Sequence, residues 1–183
     1  NLDASKTIKA TNSHSLTLFV CALIVSTTLW ILNIKLMSAL AFIICLLFYI
    51  PCLLNHKGKH NLARLSFVLI FNAAIYIYST SLGSASSTDG WFMTSAILAF
   101  SIYGWNEPRR LTTAAVLPIT LLLFVHITNF QYSILPVLKI DNSVLLIISF
   151  VMLFLSTLVS ISLICHVSWI LHSHATKLAH VLA

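Results

Sequence analysis

The chain has 183 residues, 59% hydrophobic and 8% charged, with a mean hydropathy of +0.99. A soluble domain carries about 25% charged residues, so soluble enzymes, disordered tails and disulfide-rich secreted domains are excluded, and the composition is that of an integral membrane protein. The net charge of +6 is spread between apolar runs, where it orients spans and meets anionic lipid rather than nucleic acid.

Six apolar runs follow one another. They cover 16–34, 36–54, 63–82, 91–105, 111–130 and 143 to the end. Lys35 alone separates the first two, which therefore form a tight hairpin, and the fourth run is short. Backbone groups in lipid must be satisfied within their own segment, so all six are helices. The connections are brief: 55–61, 83–90, 106–110 and 131–142. The pattern predicts an all-α fold, a polytopic membrane bundle of six transmembrane helices with both termini cytoplasmic. The expected organisation is a cytoplasmic segment at 1–15, the bundle at 16–172 and the start of a cytoplasmic signalling helix at 173–183.

Charge sets the orientation. Lys6, Lys9, Lys57, Lys59, Arg64, Arg109, Arg110 and Lys177 fall on one side, against Lys35 and Lys139 on the other. That bias places the first group in the cytoplasm, of a bacterial inner membrane on the reading given below. Trp30, Trp91 and Tyr132 are expected at the outer boundary, Trp105 and Trp169 at the inner one. From 143 onward there is no Pro or Gly, giving a helix about 60 Å long where the hydrocarbon core is about 30 Å. It is expected to project into the cytoplasm. Ile164, Leu171 and Leu178, with Val167, His174 and Val181 between them, form a short heptad seam suited to a homodimer.

Polar groups within the membrane are costly and become site candidates. Asn72, Tyr76 and Ser79 share one helix face, and His126 and Asn129 another. Together with Tyr78, Asp89 and Trp91 they predict an outer cavity that is mostly apolar with a few hydrogen-bonding groups, the usual make-up of a small-molecule site. The ligand-binding set is Asn72, Tyr76, Tyr78, Asp89, Trp91, His126 and Asn129. Ser, Thr and Asn also join helices in membranes, which is the competing explanation for each. No cofactor is expected. His126 and His166 lie at opposite ends of the membrane and cannot clamp one haem; His56, His60, His166 and His172 could gather at the inner face, where they read as solvated or interfacial, with a zinc site as the alternative. Cys21, Cys45, Cys52 and Cys165 read as small buried hydrophobes. No hydrolase, metalloprotease or phosphate-loop motif occurs. Asp3, Asp89, Glu107 and Asp141 all lie outside the spans, which disfavours an ion-coupled carrier.

The stretch from Gly83 to Leu111 has a polar loop with Asp89, a short aromatic span WFMTSAILAFSIYGW, and a basic turn NEPRRL. The next helix has a mid-span Pro118, and the last helix runs long. This order resembles the six-helix membrane sensor domains of bacterial histidine kinases, including α-hydroxyketone quorum-sensing receptors of two-component systems, and of class III adenylate/guanylate cyclases. The resemblance implies a receptor for a small lipophilic ligand that signals through its last helix, with Pro118 as a bend. The His residues at 166, 172, 174 and 180 lack the acidic-then-basic sequel of a kinase phosphoacceptor, so no catalysis is expected in this segment; a kinase or cyclase domain would lie further on. A small carrier or channel, or a structural subunit of a membrane complex, are the alternatives.

Overall fold

The computed structural model describes residues 2–83, 86–103, 107–133 and 140–182, with side chains described between residues 7 and 164 and at residue 168. The elements in order are α1 (Leu2–Ile31), α2 (Lys35–Leu47), α3 (Ile50–His56), α4 (His60–Leu82), a 3-10 turn (Thr88–Gly90), α5 (Trp91–Tyr103), α6 (Pro108–Ile127) and α7 (Asn142–Leu182). Among the described residues the regular structure is all helical. α1 runs without a break through the segment expected to precede the first span.

Among the described residues, five stretches are long and apolar enough to cross a membrane: 7–31, 35–56, 60–82, 108–127 and 142–164. α5 is the exception to the expected six. It has 13 residues and is about 20 Å long, short of the ~30 Å core. Ten of those residues are buried. α5 packs against α6, α7, α4 and α1, so its ends are covered by protein and need not reach both surfaces to satisfy their backbone.

The second span is broken at Phe48–Tyr49 into α2 and α3. Pro51 has no N–H to give Leu47, so the bonds tighten: Phe48 N–H donates to Ile44 O (3.1 Å) and Cys45 O (3.2 Å), and Tyr49 N–H to Leu46 O (3.1 Å). Helix ends carry their own stops. At Asn33 (φ 64°) the Ile34 amide reaches back to Leu29 O (2.9 Å), and at Asn129 (φ 50°) the Phe130 amide reaches Val125 O (3.0 Å). At Gly58 (φ 73°) the Lys59 amide reaches Leu54 O (2.9 Å). All three are left-handed stops with the same six-to-one bond.

The chain alternates direction. One end of the bundle, here the basal end, holds the start of α1 and the α3–α4 and α5–α6 junctions. The apical end holds the α1–α2, α4–α5 and α6–α7 junctions. Buried Phe67, Phe71, Phe92, Leu98 and Ile102 form the core around α4 and α5. Lipid offers no hydrophobic drive between helices, so close packing and hydroxyl bonds hold them. Ser26 and Ser38 pin α1 to α2 reciprocally, each hydroxyl donating to the other's carbonyl at 2.9 and 2.8 Å.

A charged knot closes the basal end. The buried Arg64 of α4 donates to Glu107 Oε1 (2.6 Å) and Asn61 Oδ1 (2.6 Å) and lies over the Tyr103 ring at 5.2 Å. Arg110 donates to Glu107 Oε2 (2.6 Å). Burial works to raise the Glu107 carboxyl, but hydrogen bonds from the two arginines and their charges outweigh it and hold the group below its ordinary value.

Candidate functional site

α1, α2 and α4 leave a cavity of about 70 Å³ between them. Its far wall is Thr88 and Trp91, at the entry to α5, and Met152 of α7. The rest of the lining includes Leu18, Val25, Ile44, Phe48 and Phe71. That volume is about half of a ~150 Å³ apolar cavity able to take up benzene or xenon. Aromatic rings form part of the wall: Phe48–Phe71 at 6.1 Å and Phe71–Trp91 at 5.9 Å meet edge to face, and Phe67 packs on Phe71 from behind, tilted, at 6.3 Å.

Two expected residues, Tyr78 and Trp91, line this cavity. Tyr78 is buried and donates its hydroxyl to Met37 O at 3.2 Å, which ties α4 to α2. Trp91 was expected in an interfacial belt; it is instead buried, because α5 starts inside the bundle and its ring packs on Phe71. Trp30 and Tyr132 are exposed. Asn72 is buried and donates to Val68 O at 2.9 Å, while its Oδ1 has no hydrogen-bond partner.

The other four gather nearer the apical surface, in two groups. His126 Nε2 lies 2.9 Å from Asp89 Oδ2, with the His126 ring edge-on to Phe130 at 5.3 Å. Tyr76 donates to Tyr132 O at 2.7 Å beside the Phe124–Tyr132 stack. Asn129 is exposed and serves as the stop of α6, which accounts for an asparagine there without a ligand. The two polar stripes therefore do not line one space. One apolar cavity and one apical cap stand in place of a single outer pocket.

The link between cavity and cap is the segment 86–91. Ser87 Oγ meets Ser149 Oγ of α7 at 2.8 Å. Thr88 lines the cavity, Asp89 holds α6 through His126, and Trp91 packs on α4. Ser87 has φ 55°, a left-handed conformation that is costly for a residue with a Cβ. One helical heptad further on, Thr94 Oγ1 lies 3.2 Å from Ser156 Oγ and 3.0 Å from Ser160 Oγ. Sequence reasoning passed over this hydroxyl ladder. Its signal was present: Ser149, Ser156 and Ser160 are spaced seven and four apart on one face of α7.

Among the described residues, no group of three or more His, Cys, Asp or Glu is placed to hold a metal. The side chains of His166, Trp169, Leu171, His174, Lys177 and Leu178, and of Val167 and Val181 in the seam, lie outside the described residues, as do Trp105 and Lys139. No family model, curated protein or solved structure matches this chain.

Proposed function

We propose that this chain is a membrane-embedded receptor domain. It senses a small, lipophilic ligand and passes the signal through α7 to a cytoplasmic catalytic domain, a histidine kinase or nucleotide cyclase. In this reading α5 counts as a sixth crossing, both termini are cytoplasmic, the membrane is the bacterial inner membrane, and two copies pair through the last helix. The resemblance in the 83–111 stretch and the charge bias support the topology.

One observation carries the functional reading. Met152, on the helix that runs furthest from the bundle, is a wall of the apolar cavity. α7 is about 60 Å long, roughly twice what a crossing needs. An occupant pressing on Met152 and Trp91 would act on α7 directly, and on the Ser87–Ser149 contact beside them. A ligand shifts such an equilibrium only by its difference in affinity between two packings. The apolar wall is where that difference would arise.

The test uses nitroxide labels at the exposed positions Leu69 on α4 and Leu158 on α7, with the protein in lipid nanodiscs. Adding a medium-chain α-hydroxyketone should change the label-to-label distance distribution. Met152→Trp, which fills the cavity from the α7 side, should shift the distribution without any addition. Distances indifferent to both would sink the receptor reading.

A further inference from the structure

The break at Phe48–Tyr49 opens a second space. A groove of about 500 Å³ runs along the membrane-facing side of the basal half, between α1 and the α2–α3 junction. Asn12, Ser13, Tyr49 and Cys52 line it together with Leu16, Phe19 and Phe48. Its polarity is ordered along α1. Lys9 is exposed and one turn before Ser13 on α1, ahead of the residues that line the groove; within it Asn12, Ser13 and Ser15 come first, then Leu16, then Phe19. Charge gives way to hydrogen-bonding groups and then to hydrocarbon as the groove runs from the basal surface toward mid-membrane. That grading matches a single-chain amphiphile whose head stays at the basal mouth, by Lys9 and Ser13, and whose chain lies between the helices.

Phe48 lines both this groove and the apolar cavity behind it. It stands at the break, with its ring among Phe67 and Phe71 at 6.2 and 6.1 Å. Ser13 and Val25, the latter on the cavity wall, are twelve residues apart on α1, about 18 Å along the axis. A long alkyl chain spans that distance.

We infer that the groove binds a long-chain fatty carboxylate from the basal leaflet, its head at Lys9, Ser13 and Tyr49 and its chain end passing Phe48 into the cavity. The donors Lys9, Ser13 and Tyr49 suit a carboxylate, and the Lys9 cation gives charge complementarity. The inference rests on the receptor reading of the cavity and deepens it by naming the ligand class and its route. By the charge asymmetry, the basal leaflet is the cytoplasmic one.

The experiment uses a full chain whose only tryptophan is Trp91, with Trp30, Trp105 and Trp169 changed to Phe, in phosphatidylcholine nanodiscs. Palmitate brominated on its last carbon should quench Trp91 saturably, and palmitate brominated beside the carboxyl should quench it far less. Lys9→Glu and Ser13→Leu, both at exposed positions, should each weaken saturation about ten-fold, the scale of a lost charge-assisted contact. Tail-brominated phosphatidylcholine should not reproduce the saturable phase. Equal quenching by both palmitates, or by the brominated phospholipid, overturns the inference. Saturable quenching that ignores Lys9→Glu and Ser13→Leu leaves the cavity occupied but overturns the basal route. Saturable, groove-dependent quenching upholds the site even if the α4–α7 label distance stays fixed, and that second result would count against the receptor reading alone.

Discussion

α5 and α7 lie side by side and share a line of hydroxyl groups, yet they are built on opposite principles. α5 has 13 residues, most of them buried, with Phe92 and Ile102 at 0% exposure. α7 has 41 residues, and in its membrane stretch Leu146, Phe150, Leu153 and Phe154 all face outward. α5 is solvated by protein, and α7 by lipid. A protein-solvated helix can be short, because neighbours cover its ends, and it tolerates little change in shape. A lipid-solvated helix must be long enough for the bilayer but exchanges one apolar neighbour for another at little cost. Such a pair joins a fixed reference to a movable arm.

The largest expected effect tests that contrast directly. Phe92→Ala should cost about 3–5 kcal/mol through the cavity it leaves, while Phe150→Ala on the lipid face should cost about 0–1 kcal/mol. Unfolding titrations in mixed micelles would compare them, and equal costs would erase the distinction. Next in size is Glu107→Gln. It leaves the buried Arg64 without its carboxylate, a loss on the order of 3 kcal/mol, and should loosen the Tyr103 end of α5. The same group sets a pH dependence. Its carboxyl is held below the ordinary value in the folded chain, so its contribution is complete above the ordinary carboxylate range, near pH 4. It fades as pH falls through the lowered folded value. The thermal midpoint of the parent should therefore drop in acid by a component that Glu107→Gln lacks.

Smaller effects sharpen the joint between the two helices. Asn129 lies on the connection from α6 to α7. Asn129→Val should cost about 1–2 kcal/mol because its left-handed φ penalises a branched side chain, and Asn129→Gly should be nearly neutral. A Gly variant that folds normally but loses ligand response would return Asn129 to the site. Thr94→Val removes two hydroxyl contacts, each about 0.6 kcal/mol in a membrane. Its total of roughly 1 kcal/mol should appear as faster hydrogen exchange in the 86–94 segment, with the core of α4 unchanged.

Much of this was legible from residue order. Apolar length located α1, α4, α6 and α7, and Lys35 placed the first hairpin. The burial of α5 was not legible, because a helix apolar on every face gives no period to say which neighbour covers it. The break at Phe48–Tyr49 had its cause in plain view at Pro51, inside a run that otherwise reads as continuous. Asn129 shows the limit for the candidate site. An asparagine near a helix end fits a polar cavity or a helix stop equally well, and only its φ and the Phe130 amide decide. The cavity itself arises from contacts among α1, α2, α4 and α7, and no local pattern encodes a gap between four helices.

The spacing of the hydroxyl ladder has a mechanical consequence. Thr94 rests between Ser156 and Ser160, one turn apart, while Ser87 meets Ser149. A shift of α7 by one turn either way would set Thr94 beside Met152 or Ile164 on one side and put Ser87 against Leu145 or Leu153. Thr94 keeps one serine at either shifted setting, but all three contacts are made together at one axial setting only, so the ladder works as a detent. Piston travel by one turn would break the Ser87 contact and one of Thr94's two, whereas pivoting about Thr94 keeps the central pair and opens only the apical one. By that comparison the stroke that costs the ladder least is a tilt.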